Sequence, residues 1–589
     1  MSRNTALALF LLTLFMFLWT IAFSWWGISS SSQSASSSPS AQADSVKAPT
    51  ALPTASDSVD KLRAQYGAYA RFLEGGETLF VVQTRAARYR FSSRGARLIA
   101  HEIPLYKDHA GKPVSLWDTT QHLQVLFAEG RSIISTERLH FIPVHIPQNP
   151  VMQGEDSVVF QLPIAQDTFV RISYLLRAGD YRLRWRIAFH GLAQRLRNPY
   201  LSLHVAYRTP QTEISPKQML SYCALYYKQG EDVESIRPDE DEVEEKVLQG
   251  KIDWVSFKGH FFCTILQAQS GFTTARLQNL PFQHLPVSRA ELQLPLEGQA
   301  AEMEWYLGPA RYSLLASYEQ EYERQIELGW SIARYINTLL VIPVFTFLEK
   351  YIPSYGVIII LLALFIKVLL SPITWQSYRS AIRMEIVHSL PEFKQLEEKY
   401  KGQPDKLMIE RSLLYKQVGV NPLQGCIPAL LQLPIFSAMY SFFPNSFELR
   451  QKDFLWVQDL SSYDALLHWG FSIPIIGNHL SLFALVTSVT TLLYSLSMSS
   501  TPSTADPSLR WMVYIFPVIF FFFLNDASAA LSWYYTVINL LTIGQTWLMK
   551  RFTNREAILA QIRAYQRRKT QKQEIAQYRM RMSKWFRKR

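Results

Sequence analysis

A single cation inside a long apolar run is the feature that most constrains this chain. The run GVIIILLALFIKVLLSPIT covers residues 356–374, and Lys367 is its only charged residue. Its 19 residues would form a helix of about 28 Å, close to the thickness of a bilayer's hydrocarbon core. A cation at that depth costs roughly 3 kcal/mol or more. The run therefore predicts a transmembrane helix that places Lys367 in a bundle interior or a wet cavity. Snorkelling of the ammonium to the membrane surface is the alternative.

Five further apolar runs bring the predicted number of transmembrane helices to six. They cover residues 6–26, 427–443, 480–498, 511–524 and 529–549. The first is interpreted as an uncleaved anchor over 1–28, because it is longer than the apolar part of a signal peptide, which is the alternative. The other four join the run with Lys367 in a helical core over 354–549. The run 511–524 would be only about 21 Å long, so the bilayer must thin there or neighbours must cover its ends.

The segment between the anchor and the second span is predicted to fold outside the membrane. Residues 29–76 are rich in Ser, Ala and Pro and are interpreted as a linker. Residues 77–310 hold no apolar span, and segments such as 158–162 and 169–174 alternate polar and apolar residues with period two. This pattern predicts an antiparallel β-sandwich. A structural role is favoured over sugar binding, because no aromatic and carboxylate constellation marks a sugar site.

The spacing of apolar residues becomes helical after the predicted sandwich. Residues 311–353 are expected to form an amphipathic helix that lies on the membrane surface. A core helix of the soluble domain is the alternative interpretation of the same spacing.

The net charge of +12 is located in the C-terminal tail. Residues 550–589 hold fourteen Lys or Arg and two Glu, so the rest of the chain is neutral overall. The loop 375–421 holds eight Lys or Arg and six acidic residues, whereas the other loops between spans hold few. The positive-inside rule places both basic segments in the cytoplasm. With six spans, the N-terminus also lies there, and the β-sandwich lies on the opposite side.

The two basic segments are candidates for contact with other molecules. Helical patterns at 376–390 and 404–417 predict a helical hairpin within 375–421. The hairpin is either a solvated structure or a cap that meets incoming chains. The tail interleaves basic and aromatic residues over 563–589. Binding to anionic lipid and binding to ribosomal RNA phosphates both stay open for it.

No residue pattern in the chain indicates catalysis. The sequence lacks a Walker loop, HExxH, GxSxG and a dinucleotide fingerprint. Its three cysteines, Cys223, Cys263 and Cys426, are too few for a disulfide framework or a typical zinc site. We therefore expect no enzymatic activity, no cofactor and no metal. Whether Cys223 and Cys263 pair stays open.

Polar residues inside the predicted spans are the candidate functional residues, because a polar side chain in lipid is costly unless it is satisfied. Besides the lysine, they are Gln432, Tyr534, Tyr535, Thr536, Asn539 and Gln545. Lys367, Gln432 and Tyr535 are predicted to share a polar cavity. Thr536 and Gln545 are expected instead to form hydrogen bonds between helices.

Four stretches of the membrane part carry a resemblance to a known family. They read GVIIILLALFIKVLLSPITWQSY, YKQVGVNPLQGCIPALLQLPIFSAMY, FELRQKDFLWVQDLSSYD and FPVIFFFFLNDASAALSWYYTVINLLTIGQ. Their order and the placement of the loops resemble the YidC/Oxa/Alb family of membrane protein insertases over residues 329–551. The anchor and the β domain match the layout of its Gram-negative form.

The resemblance implies a positively charged groove that is open to cytoplasm and lipid and closed toward the periplasm. A hydrophilic segment of a client enters this groove while the client's apolar helix slides into lipid past the third and fifth spans. The implied groove residues are Lys367, Gln432, Tyr534, Tyr535 and Asn539. The family's usual cation is arginine, so Lys367 keeps the charge without the planar fork. The implied sliding surface consists of Ile427, Pro428, Leu433, Pro434, Phe436, Pro517 and Phe520.

The resemblance also implies a location and partners. The chain is expected in the bacterial inner membrane, with the β domain in the periplasm and both termini in the cytoplasm. The expected partners are nascent membrane proteins, the Sec translocon, the ribosome through the basic tail, and the phospholipid bilayer.

Two other classes of protein stay open from the residues alone. A secondary transporter would also place polar side chains around a cavity at the middle of the membrane, although the repeated halves common in transporters are not evident. A passive scaffold would hold complexes together without a charged groove, and it would tolerate Lys367→Leu.

Overall fold

The computed structural model describes residues 65–192, 194–239, 241–280, 285–400, 402–420, 427–473, 477–498 and 510–586. The predicted anchor over 1–28 and most of the predicted linker lie outside these ranges. The described residues divide into two compact units, one that ends at Ile326 and one that begins at Glu327.

The first unit consists mainly of β-strands. They are β1 (Leu79–Gln83), β2 (Arg88–Ser92), β3 (Arg97–Lys107), β4 (Pro113–Trp117), β5 (His122–Glu129), β6 (Ser132–Ser135), β7 (Ile142–His145), β8 (Glu155–Ala165), β9 (Thr168–Arg177), β10 (Arg182–His190), β11 (Tyr200–Arg208), β12 (Ala224–Gln229), β13 (Asp232–Ile236), β14 (Glu244–Lys258), β15 (Phe262–Leu280), β16 (Val287–Pro295) and β17 (Ala300–Pro309). The described part of the unit also holds two short α-helices, α1 (Pro216–Leu220) and α2 (Tyr312–Ala316), and three 3₁₀ helices, Gly67–Phe72, Thr136–Arg138 and Tyr322–Gln325.

These strands form two antiparallel sheets. Strands β1 to β4 form a four-stranded sheet in chain order, and the other thirteen form a second sheet. The central strand of the larger sheet is β15, which pairs with β14 along its length, with β17 through its first half and with β16 through its second half. Burial alternates residue by residue along β9, β10 and β11, as the period-two sequence pattern predicts. The prediction of an antiparallel β-sandwich is confirmed.

Aromatic side chains join the two sheets. Trp117 on β4 and Trp305 on β17 meet edge to face with their ring centroids 4.7 Å apart, and both are almost fully buried. Phe91 on β2 lies 4.7 Å from Tyr174 on β9, whose hydroxyl donates to the carbonyl oxygen of Ala96 at 2.8 Å. Burying one such ring stabilises a fold by about 1.5 to 3 kcal/mol. The sandwich therefore has one shared aromatic core.

The first unit continues beyond residue 310, where the sequence places the end of the sandwich. Gln325 is fully buried, and its Oε1 accepts a hydrogen bond from Ser256 Oγ at 2.7 Å. The indole of Trp254 donates to the carbonyl oxygen of Gln320 at 3.0 Å. Residues 311–326 thus pack on β14 through specific hydrogen bonds, which apolar spacing alone does not indicate.

The two cysteines of the first unit are free thiols. Cys223 and Cys263 are both buried and unpaired. Burial raises the pKa of each thiol to about 12. Because the thiolate is the reactive form, both side chains behave as ordinary core residues.

The second unit is helical. Its elements are α3 (Ser331–Glu349), α4 (Tyr355–Ser389), α5 (Pro391–Lys399), α6 (Pro404–Val418), α7 (Ile427–Asn445), β18 (Leu467–Ile473), β19 (Gly477–Leu480), α8 (Leu482–Met498), α9 (Arg510–Asn525), α10 (Ala529–Phe552) and α11 (Arg555–Phe586). Two hydrophobic clusters organise them. The first joins α3, α4, α7, α8, α9 and α10, and the second joins the end of α4 with α5, α6 and the start of α11.

Helices occupy the five predicted spans that lie within the described ranges, but their lengths differ from the prediction, and the first predicted span, 6–26, lies outside those ranges. Within the described ranges, α3 and α4 are long and apolar enough to cross a membrane, whereas α8 and α9 contain shorter apolar stretches of 10–17 residues. Helix α3 passes this test although the sequence predicts that it lies on the membrane surface.

The predicted helical hairpin is present, but its first arm is not a separate helix. Helix α4 runs without a break for 35 residues, about 52 Å, so the span with Lys367 and the first arm of the hairpin are one helix. It ends before Pro391, because Leu390 takes the extended conformation that a following proline favours. A short helix, α5, then precedes the second arm, α6.

Candidate functional site

Lys367 lies at the edge between two faces of α4. Leu362, Ala363 and Ile366 on the inner face are buried, whereas Val368 and Leu369 on the outer face are more than half exposed. The lysine side chain is partly buried between them. Among the described residues, none forms an ion pair or a hydrogen bond with its ammonium. A cation in this position needs water, lipid headgroups or a bound anionic group, because its environment is otherwise apolar.

Gln432 also lacks a hydrogen bond within the described part of the chain. It lies in the first half of α7 and is partly buried, as are the neighbouring Leu433 and Pro434. The side chains of Ile427 and Pro428, predicted for the sliding surface, are outside the described side chains. Helix α4 packs against both α7 and α10. Lys367 and Gln432 are thus unpaired polar side chains on two helices in contact.

Three of the predicted site residues meet in one aromatic cluster. The cluster consists of Phe436 and Tyr440 on α7, Phe516, Phe520 and Phe523 on α9, and Tyr535 on α10. Tyr535 contacts one ring from each of the other two helices, since its ring lies 5.2 Å from Phe436 and 5.6 Å from Phe520. Its hydroxyl approaches the carbonyl oxygen of Phe436 at 3.4 Å. The structure therefore brings a predicted groove residue into contact with two predicted sliding residues.

The inner face of α9 carries both predicted sliding residues of that helix. Pro517 and Phe520 are buried, whereas Tyr514, Val518 and Ile519 are 40–58% exposed. The exposed side chains form an apolar outer face on the side of the helix away from Pro517 and Phe520.

Tyr534 and Asn539 take part in packing between helices. Tyr534 is fully buried, with its ring 5.4 Å from Phe443, and its hydroxyl has no partner within the described ranges. Asn539 donates to Oγ1 of Thr491 at 2.8 Å and of Thr490 at 3.2 Å. The side-chain amide of Asn539 on α10 thus finds its hydrogen-bond partners on α8. For both Tyr534 and Asn539, a role in a groove stays a prediction.

The two polar residues that were expected to join helices do so. The hydroxyls of Thr536 and Thr487 are 2.8 Å apart, which links α10 to α8. Gln545 Nε2 donates to Thr374 Oγ1 at 3.0 Å, which links α10 to α4. Thr374 is two helical turns from Lys367 on the same face, so this bond fixes α10 beside the lysine-bearing face of α4.

A polar latch between α3 and α7 was not predicted. Trp330 donates through Nε1 to Ser437 Oγ at 2.9 Å. Asn337, fully buried, donates through Nδ2 to the carbonyl oxygens of Leu328 and Ala438, each at 2.9 Å. One turn of π-helix begins at Asn337, a local distortion that is common at functional sites. The only sequence signal was an asparagine within an apolar helical pattern.

Hydrogen bonds also hold together the loops at one end of the helical bundle. Asp464 accepts from the backbone N–H groups of Leu482 and Phe483, at 2.9 and 3.0 Å, and so caps the start of α8. At the end of α9, Asn525 Nδ2 donates to the carbonyl oxygen of His479 at 3.1 Å. His479 Nε2 in turn lies 2.9 Å from the carbonyl oxygen of Asn525. These contacts join the β18–β19 hairpin to the end where α8 and α10 begin.

Comparisons with known proteins agree with this architecture. The family described as "60Kd inner membrane protein" matches residues 347–556, and the "YidC periplasmic domain" family matches residues 79–342. The membrane protein insertase YidC of Amoebophilus asiaticus is 32% identical over 515 residues, which cover 85% of each chain. The chain belongs to the YidC membrane protein insertase family. A second YidC insertase, from Parabacteroides distasonis, is 31% identical over 550 residues and covers 88% of this chain and 85% of its own.

A solved structure titled as an active YidC insertase with its first transmembrane domain resolved is also similar. It shares 18% identity and a TM-score of 0.32 and covers 82% of this chain and 94% of its own. Membership in the YidC family confirms the resemblance drawn from the four sequence stretches. The sandwich is the periplasmic domain of this family, and the helical unit is its inner-membrane part.

Proposed function

We propose that this chain inserts membrane proteins into the bacterial inner membrane and assists their folding there. Its YidC relatives are named membrane protein insertases, which supports the insertion part of the proposal. The observation that carries the proposal is Lys367, a partly buried cation without a partner among the described residues, on a helix that packs against α7 and α10. A hydrophilic client segment supplies the missing partner. Lys367 then lowers the cost of moving that segment through apolar surroundings.

The aromatic cluster supports a path for the apolar part of the client. Helices α7 and α9 meet there through Phe436, Phe520 and Tyr535, and the outer face of α9 beside it is apolar and exposed. A client helix that leaves along this face is transferred into lipid, which releases roughly 25 cal/mol per Å² of apolar surface removed from water. No covalent step and no cofactor are part of this mechanism.

Two features lower the cost of moving the hydrophilic segment across the membrane. Helix α9 has 16 residues, about 24 Å, which is shorter than a typical hydrocarbon core. The membrane potential adds about 2.3 kcal/mol for each negative charge moved outward per 100 mV. An acidic segment that pairs with Lys367 benefits from both effects.

The arrangement in the membrane is part of the proposal. We place the hairpin of α4 to α6 and the tail helix α11 in the cytoplasm, because these two segments carry the basic charge. With an even number of spans, the N-terminus lies there too. Six helices then cross the membrane, and α3 lies on its periplasmic surface with Tyr335 and Leu339 among its exposed apolar residues. The Sec translocon and the ribosome are proposed as partners that deliver clients, the ribosome through the basic tail.

Photo-crosslinking to a ribosome-bound client with one apolar helix tests the proposed function. Photoreactive residues replace Gln432 and Leu433 on α7, and a matched control replaces Val489, an apolar residue on α8 that is 50% exposed. We expect client adducts at the first two positions and few at the control. Adducts at none of the positions, or at all of them equally, would favour a passive scaffold over an insertase.

A further inference from the structure

The C-terminal helix is attached to the hairpin through a hydrophobic contact. Ile558 and Ile562, one turn apart on α11, are only 3–4% exposed. They lie in the second hydrophobic cluster, here called the hairpin cluster, whose other buried members are Ile382, Val387, Phe393, Leu414, Val418 and Val420. These residues come from α4, α5, α6 and the chain after α6. The first turns of α11 therefore complete a core that the hairpin would otherwise expose.

Polar contacts fix the register of this attachment. Arg555 at the start of α11 donates to both carboxylate oxygens of Glu385 on α4, at 3.0 and 3.1 Å. Both bonds come from one nitrogen, Nη2, and Glu385 is mostly buried while Arg555 is exposed. The pair places the start of α11 beside α4, although an exposed ion pair adds little to stability. At the other end of the contact, a Cβ placed on Gly419 would lie 2.6 Å from the ring of Tyr565, and Gly419 has a φ of +69°. Only glycine fits there without strain, so α11 packs closely on the turn that ends α6.

Beyond its apolar attached end, α11 is strongly basic. Residues 563–586 contain eight Lys or Arg and one Glu. They continue the same helix for about 36 Å beyond the contact. Ile575 in this part is 47% exposed. One helix thus connects an apolar end in the hairpin cluster with a long basic arm.

We propose that α11 is a coupling element that orders the hairpin and transmits to it the position of the basic arm. The inference rests on the proposed function in one respect, because the hairpin matters for insertion only if clients arrive on its side of the membrane. Removal of the apolar contact leaves the hairpin without part of its core, so α6 opens to solvent more often.

Hydrogen exchange of the full-length chain in lipid nanodiscs tests the coupling. In the test variant, Ile558→Asp and Ile562→Asp are combined. In the control, Ala560→Asp and Ala564→Asp place the same charges on exposed positions of the same helix. We expect amides of α6 to exchange at least tenfold faster in the test variant than in the control, while amides of α10 exchange alike. Equal exchange of α6 in the two variants overturns the proposal.

A charge exchange supplies a second, independent test. Glu385→Arg and Arg555→Glu each place like charges together and are expected to speed exchange in α6. The double variant restores an ion pair and is expected to return exchange close to that of the unmodified chain. Faster exchange in the double variant than in either single variant would contradict the proposed register.

The two proposals fail in different ways. Exchange of α6 is measured without a client, so it reports on coupling whether or not the chain inserts proteins. An unmodified chain that shows the expected exchange but inserts no client refutes the proposed function alone. A chain that inserts clients while both exchange tests fail refutes the coupling alone.

Discussion

Lys367 and Asn539 are both polar residues in apolar helices, but only Asn539 has hydrogen-bond partners among the described residues. Asn539 finds two threonine hydroxyls on α8 within 3.2 Å, whereas Lys367 has no partner in the described part of the chain. Hydrogen bonds of the first kind contribute about 0.6 kcal/mol each in a membrane bundle. An unpaired cation in apolar surroundings destabilises the fold, so its presence points to a function. The sequence predicts that both need polar surroundings, but only the packed neighbours show which one is satisfied.

His101 in the periplasmic domain is a second polar residue with unusual surroundings. It is fully buried beside Tyr89, with ring centroids 5.1 Å apart, and neither ring nitrogen has a partner in the described ranges. Burial lowers the pKa of His101 to about 3. The imidazole is therefore neutral in the fold, and the unfolded chain binds the extra proton.

This shift makes the stability of the sandwich dependent on pH. A folded pKa below the unfolded value gives stability that is complete above the unfolded pKa and is lost as the pH falls toward the folded pKa. Between the ordinary histidine pKa of about 6.5 and the lowered one, His101 contributes a loss of up to roughly 1.4 kcal/mol per pH unit. We expect His101→Phe to weaken the acid dependence of thermal unfolding, followed by tryptophan fluorescence between pH 7 and pH 4.

The matched control for this prediction is the exposed His122 on β5. His122→Phe is expected to keep the acid dependence of the unmodified chain. If His101→Phe and His122→Phe unfold with the same dependence on pH, His101 is not the group that titrates.

At the scale of elements, α3 and α4 depart most from what their sequences predict. The apolar run around Lys367 and the charged stretch after it differ in composition, yet α4 continues through both. Continuity is possible because the charged stretch packs its apolar residues Ile382 and Val387 in the hairpin cluster. In α3, a turn of π-helix begins at the buried Asn337, and the spacing of apolar residues in the sequence does not predict this turn. Contacts with other elements decide both features, so a local pattern could not predict them.

The latch between α3 and α7 gives a prediction for stability. Asn337→Leu removes two donors and leaves the carbonyl oxygens of Leu328 and Ala438 without them. We expect a loss of about 1 to 3 kcal/mol in the free energy of unfolding of the helical unit. Tyr335→Leu, at a site that is 67% exposed, is the control and should change stability little. Equal thermal unfolding of the two variants in detergent would show that the latch does not hold α3 in place.

At the scale of the whole molecule, the division into a sandwich and a helical bundle was predictable. Alternating polar and apolar residues produce strands with one buried face, and long apolar runs produce helices, so β8, β9, α7 and α10 lie close to their predicted positions. Side-chain partners were less predictable. Phe520 points into an aromatic cluster, and α11 packs on the hairpin, although the sequence indicated only a sliding surface and a basic tail.

The measurement that tests the central claim most directly is client insertion by variants at Lys367. Purified Lys367→Arg, Lys367→Leu and Lys367→Glu proteins are reconstituted in liposomes after equal thermal unfolding has been verified. Protease protection then reports the insertion of a single-span client with an acidic translocated segment. We predict that the arginine variant inserts like the unmodified chain, that the leucine variant is impaired, and that the glutamate variant loses roughly tenfold or more. Normal insertion of this client by Lys367→Glu would contradict the charged-groove mechanism.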